Sequence, residues 1–384
     1  MKKLAVSVVA LSVLSACMLT GCVDISTETI ESSEPGVPVA SDGNFVVGAI
    51  YAGDKRDTEG VTFMQNEALA AACEACGVAS FRIVDEVPED DDDQLRNAVE
   101  DLVDYGCDII FCVDFDYMYS FAEAAEEYPE VVFCQYGGYI SNNNNFINYS
   151  GRIYQAAYLS GIAAGFQTLN SGINELGFIN VEVRSDSESR SIIDAFTLGA
   201  RAVNPDAVVY LESLDEHADA STIEAARAHL VNDIHCGYVF DLSNPDSLLT
   251  YPVEDLEGFY ELAIKTAMEE SAASEFVTNM NGNFYGDMYD QYISISELNE
   301  ACDPRVAEAV DLTIDLFLSG QFDVFSGTQL SFNGEANNVS VDLIACDLES
   351  NSGEVIVEAG EPTLYDPVLR AYIDFYVEGV NDLS

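Results

Sequence analysis

Basic residues are scarce in this chain of 384 residues. Its 14 Lys and Arg stand against 68 Asp and Glu, which gives a formal net charge of −54 at pH 7. Nucleic-acid binding relies on clustered Lys and Arg that neutralise phosphates, so this composition argues against a nucleic-acid partner. An anionic membrane surface would repel the chain for the same reason. The charge leaves the choice of small ligand open, because a neutral molecule can bind in a cleft under any surface potential.

Sequence signatures of catalysis and of cofactor binding are also missing. The chain has neither a Gly-x-Ser-x-Gly elbow nor a glycine-rich phosphate loop, and none of its three His is paired with a plausible nucleophile. Cys73 and Cys76 form a Cys-x-x-Cys motif, but a zinc site of this kind requires a second pair, which the sequence lacks. We therefore expect a protein that is not an enzyme and that has no metal or other cofactor.

Apolar material for a folded core is abundant. Hydrophobic residues make up 48% of the chain and include 20 Phe and 20 Tyr. That content is typical of a folded protein and not of a disordered acidic segment. Since single hydrophobic cores stop growing well below this length, we expect two domains.

Residues 1–22 have the features of a lipoprotein signal peptide. Lys2 and Lys3 are followed by an apolar run over residues 4–14, which is too short to span a membrane. Small residues precede both Cys17 and Cys22, a pattern that resembles the bacterial lipobox, in which the Cys is acylated. We predict acylation at Cys22, because residues 23–43 are polar, as expected of a flexible tether. Acylation at Cys17 and a simple secretory signal are the alternatives.

No later stretch reaches the roughly 18 apolar residues that a membrane span requires. We therefore expect a protein on the extracytoplasmic face of the cell membrane, held there by its lipid anchor alone. Eight cysteines follow the tether, and an even number in an exported protein is compatible with disulfides. However, Cys107, Cys112 and Cys134 lie in or beside apolar runs, where a free thiol behaves as a small hydrophobic group. We predict buried thiols, with one disulfide as the alternative.

Short apolar runs alternate with helical patterns along the rest of the chain. The predicted strands cover residues 45–51, 81–84, 108–113, 131–135, 176–179, 207–211 and 237–240. The predicted helices cover residues 62–76, a stretch after Asp93, and 121–127, 152–168, 191–203 and 222–231. The acidic run at residues 90–93 predicts the start of the second helix, where carboxylates cap backbone N–H groups. This alternation predicts two doubly wound α/β domains with parallel sheets, and a ligand cleft between them at the carboxyl ends of the strands.

Several motifs along the chain carry a family resemblance. The principal ones are GRIYQAAYLSGIAAG at residues 151–165 and DAFTLGARAVNP at residues 194–205. Supporting segments, in the same order as in the family, are GAIYAGD (48–54), GVTFMQN (60–66), IIFCVDFDYM (109–118), GQFDVFSG (320–327) and YVEGV (376–380). Together they resemble the basic membrane protein (BMP) family of ABC-transporter substrate-binding lipoproteins. Characterised members of that family bind purine nucleosides for import, and others act as ligand sensors.

The resemblance implies a fold similar to type I periplasmic binding proteins, with two doubly wound lobes joined by a hinge. We expect a first lobe over residues 44–150, completed by part of 285–330. The second lobe is expected over residues 151–284, completed by part of 331–384. A nucleoside cleft requires flat apolar faces for the base, and carboxylates or amides that accept from its edge and from the ribose hydroxyls.

Two loops of the first lobe can supply these groups. The loop after the first strand contains Asp57, Phe63 and Asn66. The resemblance implies an Asp for the base edge, which Asp57 matches, and a stacking aromatic, whose usual position holds Val61 here. Phe63 therefore either stacks or packs in the core, and Asp57 either binds ligand or caps a helix.

The loop after the third strand contains Asp114 and Phe115. A carboxylate at a strand end is expensive to bury without a partner, so Asp114 is either a ligand acceptor or faces solvent. Phe115 lines the cleft or packs in the core.

In the second lobe the candidates are Asp215, Asn244 and Asp246. The resemblance implies an aromatic before Asp215, where this chain has Leu214. About 20 residues of the family pattern are absent near residues 232–238, and Asn244 and Asp246 are the candidate acceptors for the ribose in what remains.

The leading hypothesis is a lipid-anchored receptor that captures a small polar ligand, a purine nucleoside first of all, and delivers it to an ABC permease. The alternative is a ligand-sensing or interaction lipoprotein that kept the fold but not the transport role.

Overall fold

The structure is a computed structural model, which describes residues 45–58, 60–89, 91–181, 186–215, 218–333 and 338–383. The predicted signal peptide, its two cysteines and the tether lie outside these residues. No helix of the described ranges combines the length and the apolar composition needed to cross a membrane.

The first α/β unit contains five strands and three helices. In chain order they are β1 (Val46–Ile50), α1 (Gly60–Cys76), β2 (Ser80–Val84), α2 (Asp92–Tyr105), β3 (Ile109–Cys112), α3 (Met118–Glu127), β4 (Val132–Tyr136) and β5 (Phe146–Gly151). The acidic run starts α2 as predicted, since the Asp91 side chain caps the helix by accepting from the backbone N–H of Gln94 at 3.0 Å. Strand β5 was not predicted, because Asn148 and Ser150 interrupt its apolar pattern although every residue of the strand is buried.

The second α/β unit follows directly. It consists of α4 (Ile153–Ser171), β6 (Glu175–Val181), α5 (Asp186–Val203), β7 (Val208–Leu214), α6 (Ala220–Asn232) and β8 (Tyr238–Asp241). Each of these elements was predicted, with boundaries that differ by a few residues.

The remaining elements were not predicted. They are β9 (Pro252–Glu254), α7 (Leu256–Glu269), α8 (Ala273–Asn279), β10 (Phe284–Gly286), β11 (Ile293–Ile295), α9 (Pro304–Leu318), β12 (Thr328–Asn333), β13 (Ser340–Ala345), β14 (Leu348–Glu349), β15 (Val355–Val357), α10 (Asp366–Ala371) and β16 (Val380–Asp382).

Two parallel sheets organise the fold, which confirms the predicted α/β class. The first sheet has the strand order β10-β5-β4-β3-β1-β2, and the second has the order β16-β7-β6-β8. All pairings within both sheets are parallel. One strand of each sheet is distant in sequence from the others: Gly286 of β10 pairs with Gly151, and Val380 of β16 pairs with Val209.

Helix α7 packs on the first sheet. The Tyr260 hydroxyl donates to Oε1 of the buried Gln65 on α1 at 2.5 Å, and the Phe259 ring stacks on Tyr149 of β5 at 4.1 Å. If the second lobe ended at residue 284, α7 would be assigned to the lobe of the second sheet, although it packs on the first. We therefore propose that the second lobe ends before β9.

The chain passes between the sheets at three places in the described residues. They are the junction of β5 with α4, the segment around β9, and the segment around β11. Strands β9 and β11 pair antiparallel, with Glu254 opposite Ile293. These segments are the candidates for the hinge.

Glycines allow α4 and α5 to pack at close range. A Cβ added at Gly161 would lie 2.0 Å from the carbonyl oxygen of Phe196, and one at Gly199 would lie 2.0 Å from that of Tyr158. The two principal family motifs are therefore the two sides of one helix contact. The helical glycines of both motifs are therefore explained by helix packing.

The eight cysteines of the described residues are free thiols. Cys107, Cys112 and Cys134 are buried, as predicted from their apolar surroundings.

Candidate functional site

The loops that follow β1, β2, β3 and β4 meet at the carboxyl edge of the first sheet. The loops after β1 and β2 are joined by hydrogen bonds from Glu86 N to Gly53 O at 3.2 Å and from Val87 N to Tyr51 O at 3.1 Å. The buried Tyr117, in the loop after β3, donates its hydroxyl to the carbonyl of Val87. This edge brings side chains from several strand ends to one surface, as expected for a parallel sheet.

Asp114 lies in the centre of this edge, two residues after β3. Its carboxylate accepts from the backbone N–H of Asp116 at 3.0 Å, and its carbonyl accepts from the side chain of Gln135. Burial raises the pKa of Asp114 to about 7, opposed by the Asp116 N–H bond and reinforced by the charge of Glu89 and a hydrogen bond with it. Asp114 and Glu89 thus form a carboxyl pair that can accept from hydroxyl or N–H groups of a ligand.

Aromatic rings lie beside this carboxyl pair. The half-buried ring of Phe115 is 6.3 Å from the ring of Tyr139, which follows β4, with an angle of 42° between them. The hydroxyls of Tyr139 and Tyr119 are hydrogen-bonded at 2.9 Å. Glu89, Tyr119 and Tyr139 were missed by the sequence reasoning. Applying the strand-end argument to the end of β4 would have found Tyr139.

The loop after β1 is held by an ion pair and by Asn66. Lys55 Nζ lies 3.1 Å from Asp85 Oδ1, and the Asn66 side chain donates to the Lys55 carbonyl at 3.3 Å. Asp57 is exposed on this loop, whereas Phe63 is half-buried on α1. Val61, at the position where the resemblance implied an aromatic, packs against the core.

The second-sheet candidates follow β7 and β8. Asp215 is exposed after β7, and Asn244 is half-buried at the start of a short turn after β8. Asp246 is exposed and lines an open groove of about 460 Å³, whose other lining residues include Tyr251, Val253 and Glu297. The lining of that groove includes none of the first-sheet candidates.

A carboxylate of the second sheet that the sequence reasoning missed is Asp241, the last residue of β8. It is buried, accepts from Ser243 N at 2.9 Å and Ser243 Oγ at 2.6 Å, and pairs with Arg227. These contacts make Asp241 a structural anchor for the loop that carries Asn244. Among the described residues, no group of three or more His, Cys, Asp or Glu is arranged to hold a metal ion.

A family model and two relatives of low sequence identity match this chain. The family model described as "ABC transporter substrate-binding protein PnrA-like" matches residues 46–277. A purine-binding protein of Brucella abortus is 23% identical over 364 residues, which cover 88% of this chain and 93% of the relative. A protein of Haloferax volcanii named as an ABC transporter glucose-binding protein is 26% identical over 275 residues, which cover 65% of this chain and 66% of the relative.

Solved structures show the same fold at low sequence identity. An ABC transporter solute-binding protein from Conexibacter woesei superposes with a TM-score of 0.55 at 15% identity, covering 73% of this chain and 98% of that one. A second one, from Aeropyrum pernix, superposes with a TM-score of 0.53 at 12% identity, covering 77% of this chain and 94% of that one. These matches confirm the predicted fold, similar to that of periplasmic binding proteins.

Proposed function

The chain belongs to the Bmp family of PnrA-like ABC transporter substrate-binding proteins, and from this premise we propose that it is a receptor that takes up a purine nucleoside and presents it to an ABC permease. The ligand would bind over the carboxyl edge of the first sheet. Closure of the second sheet over it, by bending at the segments around β9 and β11, would stabilise the loaded state. Binding and release of this kind require no chemistry on the ligand.

The observation that carries the proposal is the arrangement of Asp114 and Glu89 beside the rings of Phe115 and Tyr139. A nucleoside offers a flat base that stacks on aromatic rings. Its hydroxyl and N–H groups are donors for a carboxylate, and a partly buried carboxylate makes the stronger bond. Both requirements are met within one edge of one sheet.

The remaining candidates have supporting positions in this proposal. Phe63 and Asp57 would contact the ligand from the loop and helix after β1, and Asn66 would hold that loop through Lys55. Asp215, Asn244 and Asp246 would approach from the second sheet on closure. Anchoring through an acylated Cys22 would keep the receptor at the extracytoplasmic face of the membrane.

A hexose is the second candidate ligand. One relative is named for glucose, and a sugar ring also packs its apolar face on an aromatic ring while donating hydroxyls to carboxylates. The two ligands differ in that only the nucleoside has a flat base, which would stack on the aromatic rings of the site.

A dye-based thermal-shift screen of the domain from Asp42 onward would test the proposal, using nucleosides, nucleobases and hexoses at low and at high salt. A ligand that binds only the folded state raises the melting temperature. We expect a shift with inosine, guanosine or adenosine that is lost in Asp114→Ala and retained in Asp311→Ala, a control at an exposed position of α9.

A shift with glucose alone would replace the nucleoside by the hexose. Cooperative melting without a shift for any solute would favour the alternative of a sensory or interaction lipoprotein.

A further inference from the structure

The C-terminal segment that contains α10 is fixed against both α/β units. It lies beyond the residues that the family model matches. At the start of α10, Asp366 accepts from Arg152 through both carboxylate oxygens, at 3.0 and 2.9 Å. Arg152 immediately precedes α4, at the junction between the two sheets.

Arg370, near the end of α10, is anchored at the carboxyl end of β5. Only 4% of Arg370 is exposed. Its guanidinium donates to Ser150 Oγ at 2.6 Å and to the Gly151 carbonyl at 2.8 Å, and it also lies 3.3 Å from Glu188 of α5. The same group lies over the ring of Tyr285 in β10, 4.6 Å from the ring centroid.

A third anchor follows α10. The carbonyl of Ile373 accepts from the hydroxyl of Ser187, at the start of α5, at 3.2 Å. Tyr372 therefore lies between a contact to the first sheet at Arg370 and a contact to the second α/β unit at Ile373. Both of these neighbours are buried, whereas 69% of Tyr372 is exposed.

A series of contacts runs from Arg370 to the candidate site. Arg370 lies on the Tyr285 ring, the Asn283 side chain donates to the Tyr285 hydroxyl at 3.1 Å, and Asn283 also donates to the carbonyl of Tyr139 at 3.2 Å. The hydrogen bond that the Tyr139 hydroxyl donates to Tyr119, burial, and the proximity of the ionisable hydroxyls of Tyr119 and Tyr372 raise the pKa of Tyr139 to about 12. The contacts of Arg370 thus place Tyr372, two residues further on, at the carboxyl edge of the first sheet, beside the ends of β5 and β10.

From this arrangement we propose that Tyr372 is a ligand-contacting residue, whose ring packs on the face of the bound ligand opposite Phe115 and Tyr139. The proposal rests on the proposed function, because it assumes a ligand at the edge of the first sheet. A flat ring has two faces, and stacking on both excludes water from the hydrogen bonds at its edge. The three anchors hold the segment that carries Tyr372, so a ligand would have to order only its ring and not the backbone.

Substitutions at Tyr372 and at Tyr365 would test this inference. Tyr365 is the matched control, because it lies at the other end of α10 and is 71% exposed. With the best nucleoside or hexose from the screen as the probe, we expect Tyr372→Ala to raise the Kd about tenfold or more, on the scale of base–aromatic stacking. Tyr372→Phe should stay within about threefold of the wild type, and Tyr365→Ala should leave the Kd unchanged.

A fluorescent reporter gives an independent readout, because the chain contains no Trp. The Trp emission of Tyr372→Trp should change when the probe binds, whereas that of Tyr365→Trp should not. If Tyr372→Ala fails to fold, this reporter decides the question.

Two negative results are distinguishable. Binding to wild type, with an unchanged Kd in Tyr372→Ala or an unchanged emission in Tyr372→Trp, would overturn the role of Tyr372 and leave the receptor function intact. A wild-type protein that binds none of the solutes would overturn the proposed function and this inference with it.

Discussion

Arg152 and Asp366 form a bidentate ion pair across 214 residues of sequence, with nitrogen–oxygen distances of 3.0 and 2.9 Å. Arg152 belongs to the first family motif and precedes α4, while Asp366 begins α10. The same guanidinium also donates to Asp287 at 3.0 Å, in the segment between β10 and β11. One arginine therefore joins the C-terminal segment to two of the three crossings between the sheets.

Asp366→Asn should destabilise the protein by about 1–3 kcal/mol, because it removes a charge-assisted pair whose carboxylate is only 10% exposed. Urea unfolding followed by circular dichroism would measure the change. Asp54→Asn is the matched control, since Asp54 also holds an Arg, Arg56, whose side chain is 75% exposed. The control should leave the unfolding midpoint unchanged. Equal midpoints for Asp366→Asn and wild type would show that the buried pair contributes nothing.

Gly161→Ala should destabilise the protein by about 2 kcal/mol or more, because the added methyl would lie 2.0 Å from a backbone oxygen and would force α4 and α5 apart. Gly165→Ala should be milder, since its nearest contact, the Ala200 oxygen, lies at 2.6 Å. Thermal or urea unfolding would rank the variants. As a control, Gln167→Ala introduces alanine at another position of α4 and should have little effect on stability. A Gly161→Ala protein as stable as wild type would contradict the close helix contact.

Asp194→Asn should become more stable than wild type as the pH rises. Burial raises the pKa of Asp194 well above its usual range, opposed by a hydrogen bond from Val377 N and by the charge of Arg190. In the described part of the chain its second oxygen, Oδ2, makes no hydrogen bond. The folded state therefore favours the neutral acid, while the unfolded chain ionises from about pH 4 upward.

It follows that wild type loses stability from about pH 4 until the pKa of the folded state is passed. The Asn variant, which keeps the acceptor for Val377 N, avoids this loss. Urea unfolding of both proteins at pH 4.5, 6.0 and 7.5 would measure the difference in unfolding free energy. We expect it to grow by up to about 1.4 kcal/mol per pH unit. A difference that is constant with pH would show that Asp194 ionises normally in the folded protein.

Ligand affinity should rise with pH through about 7 if Asp114 accepts from the ligand. Its pKa in the ligand-free protein is raised to about 7 by burial and by the nearby charges of Glu89 and Asp116. The ionised carboxylate of Asp114 only accepts hydrogen bonds, whereas the neutral acid carries a proton of its own. The affinity for the ligand should therefore increase between pH 6 and 8 and then level off. Titration calorimetry across this range would measure it. Asp114→Asn should flatten the profile, and Asp116→Asn should move its midpoint to lower pH. A flat wild-type profile would remove Asp114 from the binding site.

All eight cysteines of the domain from Asp42 onward should react with a thiol reagent in denaturant. In the native protein we expect fast reaction at Cys76, Cys302 and Cys346 only, because the other five are buried. Burial raises the pKa of Cys73 and of Cys107 to about 12, which slows the reaction further. Six reactive thiols in denaturant would reveal the disulfide that the sequence left open.

The sequence predicted the two α/β units well and the C-terminal third poorly. Strands such as β1 and β3 are continuous apolar runs, and α2 has an acidic cap and an amphipathic pattern, so local rules were sufficient there. Strand β5 was missed because Asn148 interrupts its apolar pattern, and this buried amide is accommodated in part by hydrogen bonds with Asn283, 135 residues away. Short strands such as β10 and β16 carry little local pattern and exist because a sheet edge offers them hydrogen bonds.

The candidate site was likewise predictable in part from the local sequence and in part not. The end of an apolar strand was enough to select Asp114 and Phe115. The contact of Asp114 with Glu89, and of Phe115 with Tyr139, depends on which strands are neighbours in the sheet.

By itself, the sequence determined the class of fold, the acidic character, the family and the strand ends where a ligand could bind, because each depends on local pattern or on composition. Only the tertiary structure decided that Arg370 and Asp366 hold the C-terminal segment against the two units, which leaves Tyr372 exposed at the edge of the first sheet. Such pairings join residues hundreds of positions apart, and no local propensity encodes them. They form because a buried guanidinium must find acceptors, and the folded chain supplies those acceptors at only a few places.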